Sequence, residues 1–66
     1  MMSRSSLIQR AIYVPTEQTL AVTFTTGRTY LYFGVPADVY AEFASAPSRI
    51  QIFNWRIRDH EFRELD

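Results

Sequence analysis

An α+β fold, a three-stranded antiparallel β-meander with two short C-terminal helices packed on one face, is predicted by three observations. Residues Thr19 to Thr25 alternate, with Leu20, Val22 and Phe24 on one side, the period-two signature of a half-buried strand. Thr26-Gly27 follows at once and offers a short hairpin turn into a second extended run, Arg28 to Gly34. Beyond Pro36 the apolar spacing widens to that of helices, interrupted by Pro47.

Each element follows in chain order. Leu7 to Val14 reads as the first strand, ended by the turn composition Pro15-Thr16-Glu17-Gln18. A four-residue loop there puts Leu7, Ala11 and Tyr13 on the core side. A slip by one puts Ile8 and Ile12 there and Tyr13 beside the other tyrosines, and hydrophobicity favours this slipped register. If Thr26-Gly27 is a two-residue loop, Thr25 faces Arg28, Phe24 faces Thr29, Val22 faces Leu31 and Leu20 faces Phe33, and these side chains form the core face. Thr23 then pairs with Tyr30 and Ala21 with Tyr32, which sets both tyrosines on the opposite, open face.

Pro36 fits the first turn of a helix running to about Ser45, with Asp38 near its positive end and Val39, Tyr40, Phe43 and Ala44 as its apolar stripe. Ser48-x-x-Gln51 matches a capping box for a second helix reaching about Arg58, in which Ile50, Phe53 and Ile57 recur at i, i+3 and i+7. The tail from His60 to Asp66 packs back as a short extended segment through Phe62 and Leu65. The whole chain, residues 1–66, is expected to be a single domain whose ends, about 1–5 and 63–66, are flexible.

Composition narrows the function classes. A chain of 66 residues supports one small core, on the order of 3–5 kcal/mol, and domains of this size usually add a staple or a partner. With no cysteine and a single histidine, disulfides and ordinary zinc sites are excluded, which leaves packing or self-association. Aromatic residues make up 15% of the chain, which argues for a folded core. No apolar run is long enough for a signal peptide or a membrane span, so a cytoplasmic protein is expected. Seven arginines balance seven carboxylates, which removes the broad positive field of a strong nucleic-acid binder. Arg4, Arg10 and Arg28 face only Glu17 in the first 35 residues, so the sheet half is mildly basic.

The run Arg28-Thr29-Tyr30-Leu31-Tyr32-Phe33-Gly34-Val35-Pro36, then Ala46-Pro47-Ser48, Phe53-Asn54 and Ile57-Arg58, resembles the KTSC domain family from Ser6 to about Phe62. That family is named from the C-terminal region of some lysyl-tRNA synthetases and carries a central Tyr-x-Tyr motif. The resemblance implies a free-standing domain and a suggested role in RNA binding. Two positions depart from the family pattern: Arg49-Ile50 stands where Lys-Gly is usual, and Trp55 where a basic or polar residue is usual.

Tyr30 and Tyr32 are the first candidates for binding RNA or another single-stranded nucleic acid, because exposed rings on a sheet can stack on bases, with Arg10 and Arg28 as phosphate contacts. The alternative is that both rings pack under strand-one side chains or a partner subunit. Trp55 lies off the core stripe, near Ile52 and Arg56. It is either an interaction anchor for a protein partner or a second copy, or is covered by Phe62 and Leu65. Ser48, Phe53, Asn54 and Arg58 read as a structural motif, with Asn54 bonding backbone near the Pro47 turn or the tail. A third reading, sequestration of a small nucleotide, uses the same aromatic and arginine groups. His60, between Asp59 and Glu61, reads as solvated, Glu17 and Glu42 as surface carboxylates, and two glycines cannot make a phosphate loop. A non-enzyme with no cofactor and no metal is expected.

Overall fold

The computed structural model describes residues 7–65. Four strands, β1 (Ile8–Val14), β2 (Thr19–Phe24), β3 (Thr29–Tyr32) and β4 (Phe62–Leu65), form one antiparallel sheet in the order β1-β2-β3-β4. Helix α1 (Ala37–Ser45) and a second helical segment, α2 (Arg49–Ile52) continuing into a π-helical turn (Phe53–Ile57), cover one face. The class is therefore α+β, but the sheet has four strands rather than three. The fourth strand comes from the tail, expected as a short extended segment packed back on the domain: it pairs with β3, with Tyr32 opposite Phe62, Leu31 opposite Arg63, Tyr30 opposite Glu64 and Thr29 opposite Leu65. Arg4 and the other residues before Leu7 lie outside the described residues, as does Asp66.

The β2–β3 register differs by one residue from the expected one. Phe24 N–H donates to Arg28 O (2.9 Å) and Gly27 N–H to Phe24 O (2.9 Å), so the loop is Thr25-Thr26-Gly27, with Gly27 at φ +95°. A three-residue loop closed by a glycine in this region is a common hairpin type. Its consequence is that Leu20 opposes Tyr32 and Val22 opposes Tyr30, whereas Ala21 opposes Leu31 and Thr23 opposes Thr29. A slip of one residue exchanges the faces of a strand. Tyr30 and Tyr32 thus lie on the helix-covered face, and Leu31 on the open one. The Thr23 and Thr29 hydroxyls, 2.8 Å apart, meet on that open face.

β1 resolves its two possible registers by a bulge. Pairing shifts between Ile8 and Arg10, with Ile8 opposite Phe24 but Ala11 opposite Val22 and Tyr13 opposite Leu20. The extra residue lets Ile8, Ala11 and Tyr13 all face the core. Ile12, expected inside, is 52% exposed on the open face. Tyr13 stacks flat on Tyr40 (centroids 4.4 Å apart) and its hydroxyl donates to Val35 O at 2.7 Å.

The core consists of Ile8, Leu20, Val22 and Tyr32 from the sheet with Val35, Val39, Phe43, Phe53 and Ile57 from the covering layer. Pro36 stands at the N-cap of α1, just before the first helical residue. The helix ends at Ala46 (φ −73°, ψ 144°), the extended conformation a following proline demands. Of the expected stripe, Val39 and Phe43 are buried, Tyr40 is half-buried and Ala44 is exposed. The expected capping box does not form: Ser48 has extended angles but makes no side-chain cap bond. Gln51 is exposed, so water can serve the first donors of this one-turn helix.

Candidate functional site

A groove of about 460 Å³ opens between the β2–β3 hairpin loop and the α2/π segment. Phe24, Tyr30, Ile50 and Phe53 form its apolar walls, with Leu7 at one side. Phe24 holds Tyr30 edge-on (5.8 Å, 72°) and Phe53 edge-on (5.5 Å, 75°). Such edge-to-face contacts fix ring orientation as well as burying area. Thr25, Thr26, Arg28 and Asn54 supply polar groups at the rim. The volume falls in the range of small-ligand sites, about 300–1,000 Å³.

Asn54 lies in a π-helical turn at the rim of this groove. Arg58 N–H donates to Phe53 O at 2.8 Å, a bond that spans one residue more than the α-helical one. In this turn Phe53 and Ile57 are buried, and Asn54, Trp55 and Arg56 are exposed. Single π-turns within helices occur frequently at functional sites. Asn54 has no side-chain hydrogen-bond partner among the described residues, so the expected bond to backbone near Pro47 or the tail is not formed there. Its neighbours across the groove are Thr25 and Thr26 instead. The one-residue widening lies between Phe53 and Ile57, a change that periodicity alone does not reveal.

The first-ranked sequence candidates separate. Tyr30 and Arg28 line the groove together. Tyr32 is only 6% exposed, edge-on to Phe53 (5.1 Å) and tilted against Phe62 (5.7 Å). Arg10, opposite Thr23, lies on the other face of the sheet, away from the tyrosines it was expected to accompany. The exposed tyrosine platform does not exist in this register.

Electrostatics at the groove are local. Arg28 donates to Glu64 Oε2 at 2.8 Å across the β3–β4 pair. This hydrogen bond, with the carboxylate charge behind it, raises the Arg28 pKa and keeps the guanidinium protonated. Burial raises the Tyr32 phenol pKa, nearby Tyr30 adds to the shift, and Arg58 partly opposes it. The Arg58 side chain is itself exposed.

Trp55 is 69% exposed, and neither Phe62 nor Leu65 covers it as the alternative reading had it. Phe62 instead packs on Tyr30 (5.9 Å) and Tyr32. Arg56 lies over the Trp55 ring (5.6 Å) and bonds Glu42 on α1 at 3.0 Å, which fixes an aromatic and cationic ridge. Ile52, grouped with this ridge in the sequence, is half-buried against the core. Ser48 is half-buried at the start of α2. His60 is also half-buried rather than solvated, and its Nδ1–H donates to Phe33 O at 3.0 Å. Among the described residues no group of three or more His, Asp or Glu could hold a metal ion, and no helix is long and apolar enough to cross a membrane.

Comparison with known proteins agrees with this architecture. A KTSC domain protein from Yersinia pestis has a crystal structure that superposes with a TM-score of 0.86, over 100% of this chain and 94% of that one, at 31% identity. A protein from Tsukamurella paurometabola is 46% identical over 50 residues, covering 76% of this chain and 75% of the relative. The lysine–tRNA ligase of Nostoc sp. is 45% identical over 49 residues, which are 74% of this chain but 9% of the ligase. The lysine–tRNA ligase of Nostoc punctiforme matches a segment of the same length at 41% identity. With the KTSC domain model matching residues 4–62, the chain belongs to the KTSC domain family.

Proposed function

We propose that this domain is a non-enzymatic binding module that takes one unpaired base of single-stranded RNA into the groove beside Tyr30. One observation carries the reading: the groove gathers an aromatic wall, a protonated arginine and an exposed side-chain amide within a volume suited to a single ring system. Aromatic side chains receive unstacked bases, and amides read their edges. Asn54 is the specificity group in this reading, Arg28 the phosphate contact and Tyr30 with Phe24 the stacking wall. Relatives that share this segment are lysine–tRNA ligases, proteins named for an RNA substrate. The neutral chain supplies no long-range field, so binding is shallow in its salt dependence. One phosphate contact gives a slope of about −0.7 in log K against log salt.

The test is fluorescence anisotropy of labelled single-stranded RNA at low and physiological salt, with circular dichroism confirming the fold of each variant. Tyr30→Leu is expected to weaken binding by the value of one stacked base, about 1–3 kcal/mol, or roughly 5- to 150-fold. Asn54→Ala and Arg28→Gln, both at exposed positions, are expected to weaken it while leaving the fold intact. Absence of binding at low salt, or binding indifferent to all three changes, removes this function. A second reading rests on Trp55: an exposed tryptophan braced by Arg56 and Glu42 has the composition of a protein-contact anchor.

A further inference from the structure

The face of the sheet away from the helices carries a regular grid of side chains. β-Pairing sets Arg10, Thr23, Thr29 and Leu65 in one row and Ile12, Ala21, Leu31 and Arg63 in the next. A third row begins with Val14 and Thr19. Phe33 N–H donates to Glu61 O (2.9 Å), which extends the β3–β4 pairing, and strand alternation completes this row with Phe33 and Glu61. Ile12, Val14 and Leu65 are 52%, 39% and 47% exposed. Three strand spacings across and two row spacings along make the grid about 14 Å on each side.

The charges on this grid have a symmetry of their own. Arg10 and Glu61 stand at diagonally opposite corners, and Val14 and Leu65 at the other two. A two-fold axis running along the Val14–Leu65 diagonal, between two such faces, sets each Arg10 against Glu61 of the second copy. The same operation drops Ile12 between Thr19 and the Phe33 ring, and Arg63 between the hydroxyls of Thr23 and Thr29. Strands of the two sheets then cross near a right angle, one of the two standard sheet-on-sheet packings. An isologous contact of this kind is self-complementary, as closed dimers require. We propose that the open sheet face is the interface of a homodimer, with Arg10 of each copy paired to Glu61 of the other.

The area available limits the strength of this pair. A patch about 14 Å on a side, roughly 200 Å², lies far below the roughly 800 Å² per partner of a stable complex, so weak association, on the order of hundreds of micromolar, is expected. The groove lies on the other face and stays open in the dimer, which makes this proposal independent of RNA binding.

Sedimentation velocity over a concentration series, at low and physiological salt, tests it. The wild-type chain is expected to shift from monomer to dimer with rising concentration. Arg10→Glu alone and Glu61→Arg alone each place two like-charge contacts in the interface and are expected to weaken dimerisation by at least about tenfold. The double exchange, Arg10→Glu with Glu61→Arg, restores opposite charges and is expected to return the affinity to within about threefold of wild type. Both positions are exposed, so the fold is retained and circular dichroism confirms it. A monomer at every concentration overturns the proposal. So does a dimer that ignores the single exchanges, or one that the double exchange fails to rescue.

Discussion

Replacing Phe53 by alanine tests the central claim that one side chain joins the sheet, the helical layer and the groove wall. Phe53 is 4% exposed and meets Phe24 and Tyr32 edge-on at 5.5 and 5.1 Å. Truncating a buried phenylalanine typically costs about 3–5 kcal/mol. At roughly 0.05–0.15 kcal/mol per residue, the entire domain has only about 3–10 kcal/mol of stability. Phe53→Ala is therefore expected to remove from about a third of it to nearly all, with a large drop in the unfolding midpoint. Phe62→Ala is the control: its ring touches Tyr30 and Tyr32 too, but is 55% exposed. It is expected to cost about 1 kcal/mol, mostly the aromatic contacts. Urea unfolding followed by far-ultraviolet circular dichroism measures both. Tryptophan emission is a poor probe here, because Trp55 is already in water in the folded chain. A Phe53→Ala loss below about 1.5 kcal/mol, or one no larger than that of Phe62→Ala, would refute the assignment of Phe53 as the shared core element.

Three further outcomes are expected. Tyr32 has its phenol pKa raised by burial, so the unfolded chain loses this proton first; stability holds below about pH 10 and falls as pH climbs through the folded value. Tyr32→Phe should flatten that alkaline decline in a pH series of unfolding midpoints. Gly27→Ala should cost about 1–2 kcal/mol by thermal unfolding, entirely from backbone strain at φ +95°, since a methyl group there meets nothing within 4 Å. Trp55→Ala should change stability by less than about 1 kcal/mol, because it removes one exposed cation–π contact and little buried area.

The family and the α+β class were legible because they rest on many residues at once: the Tyr30-Leu31-Tyr32 run, the two proline boundaries and the Ile50, Phe53, Ile57 spacing all agree with what forms. The faces of the tyrosines were not legible, because they depend on one loop residue. Counting Thr25 into the loop rather than the strand moves Tyr30 and Tyr32 from the open face to the covered one. Gln9 has the same leverage on β1, where the bulge admits side chains from both registers. β4 was hidden by its chemistry: Phe62, Arg63, Glu64 and Leu65 are all exposed and lack a buried alternation, so backbone pairing with β3 defines the strand. Of the candidate site, Tyr30 and Arg28 were named from sequence as binding residues, whereas Asn54 was read as structural and lies on the groove instead, in a π-turn whose signal is a hydrogen bond rather than a composition.

The irregularity at Gln9 also bears on what the sheet cannot become. An edge strand is a template for adding another chain, and proteins blunt it with kinks, charges or brevity. Here the outer margin of β1 is bent where pairing shifts, and the outer margin of β4 is four residues long with Arg63 and Glu64 in its middle. Neither border offers a long straight run for templated fibril growth, even though the 66-residue chain is rich in aromatic side chains. Polymerisation strand by strand is thereby discouraged at both edges of the sheet.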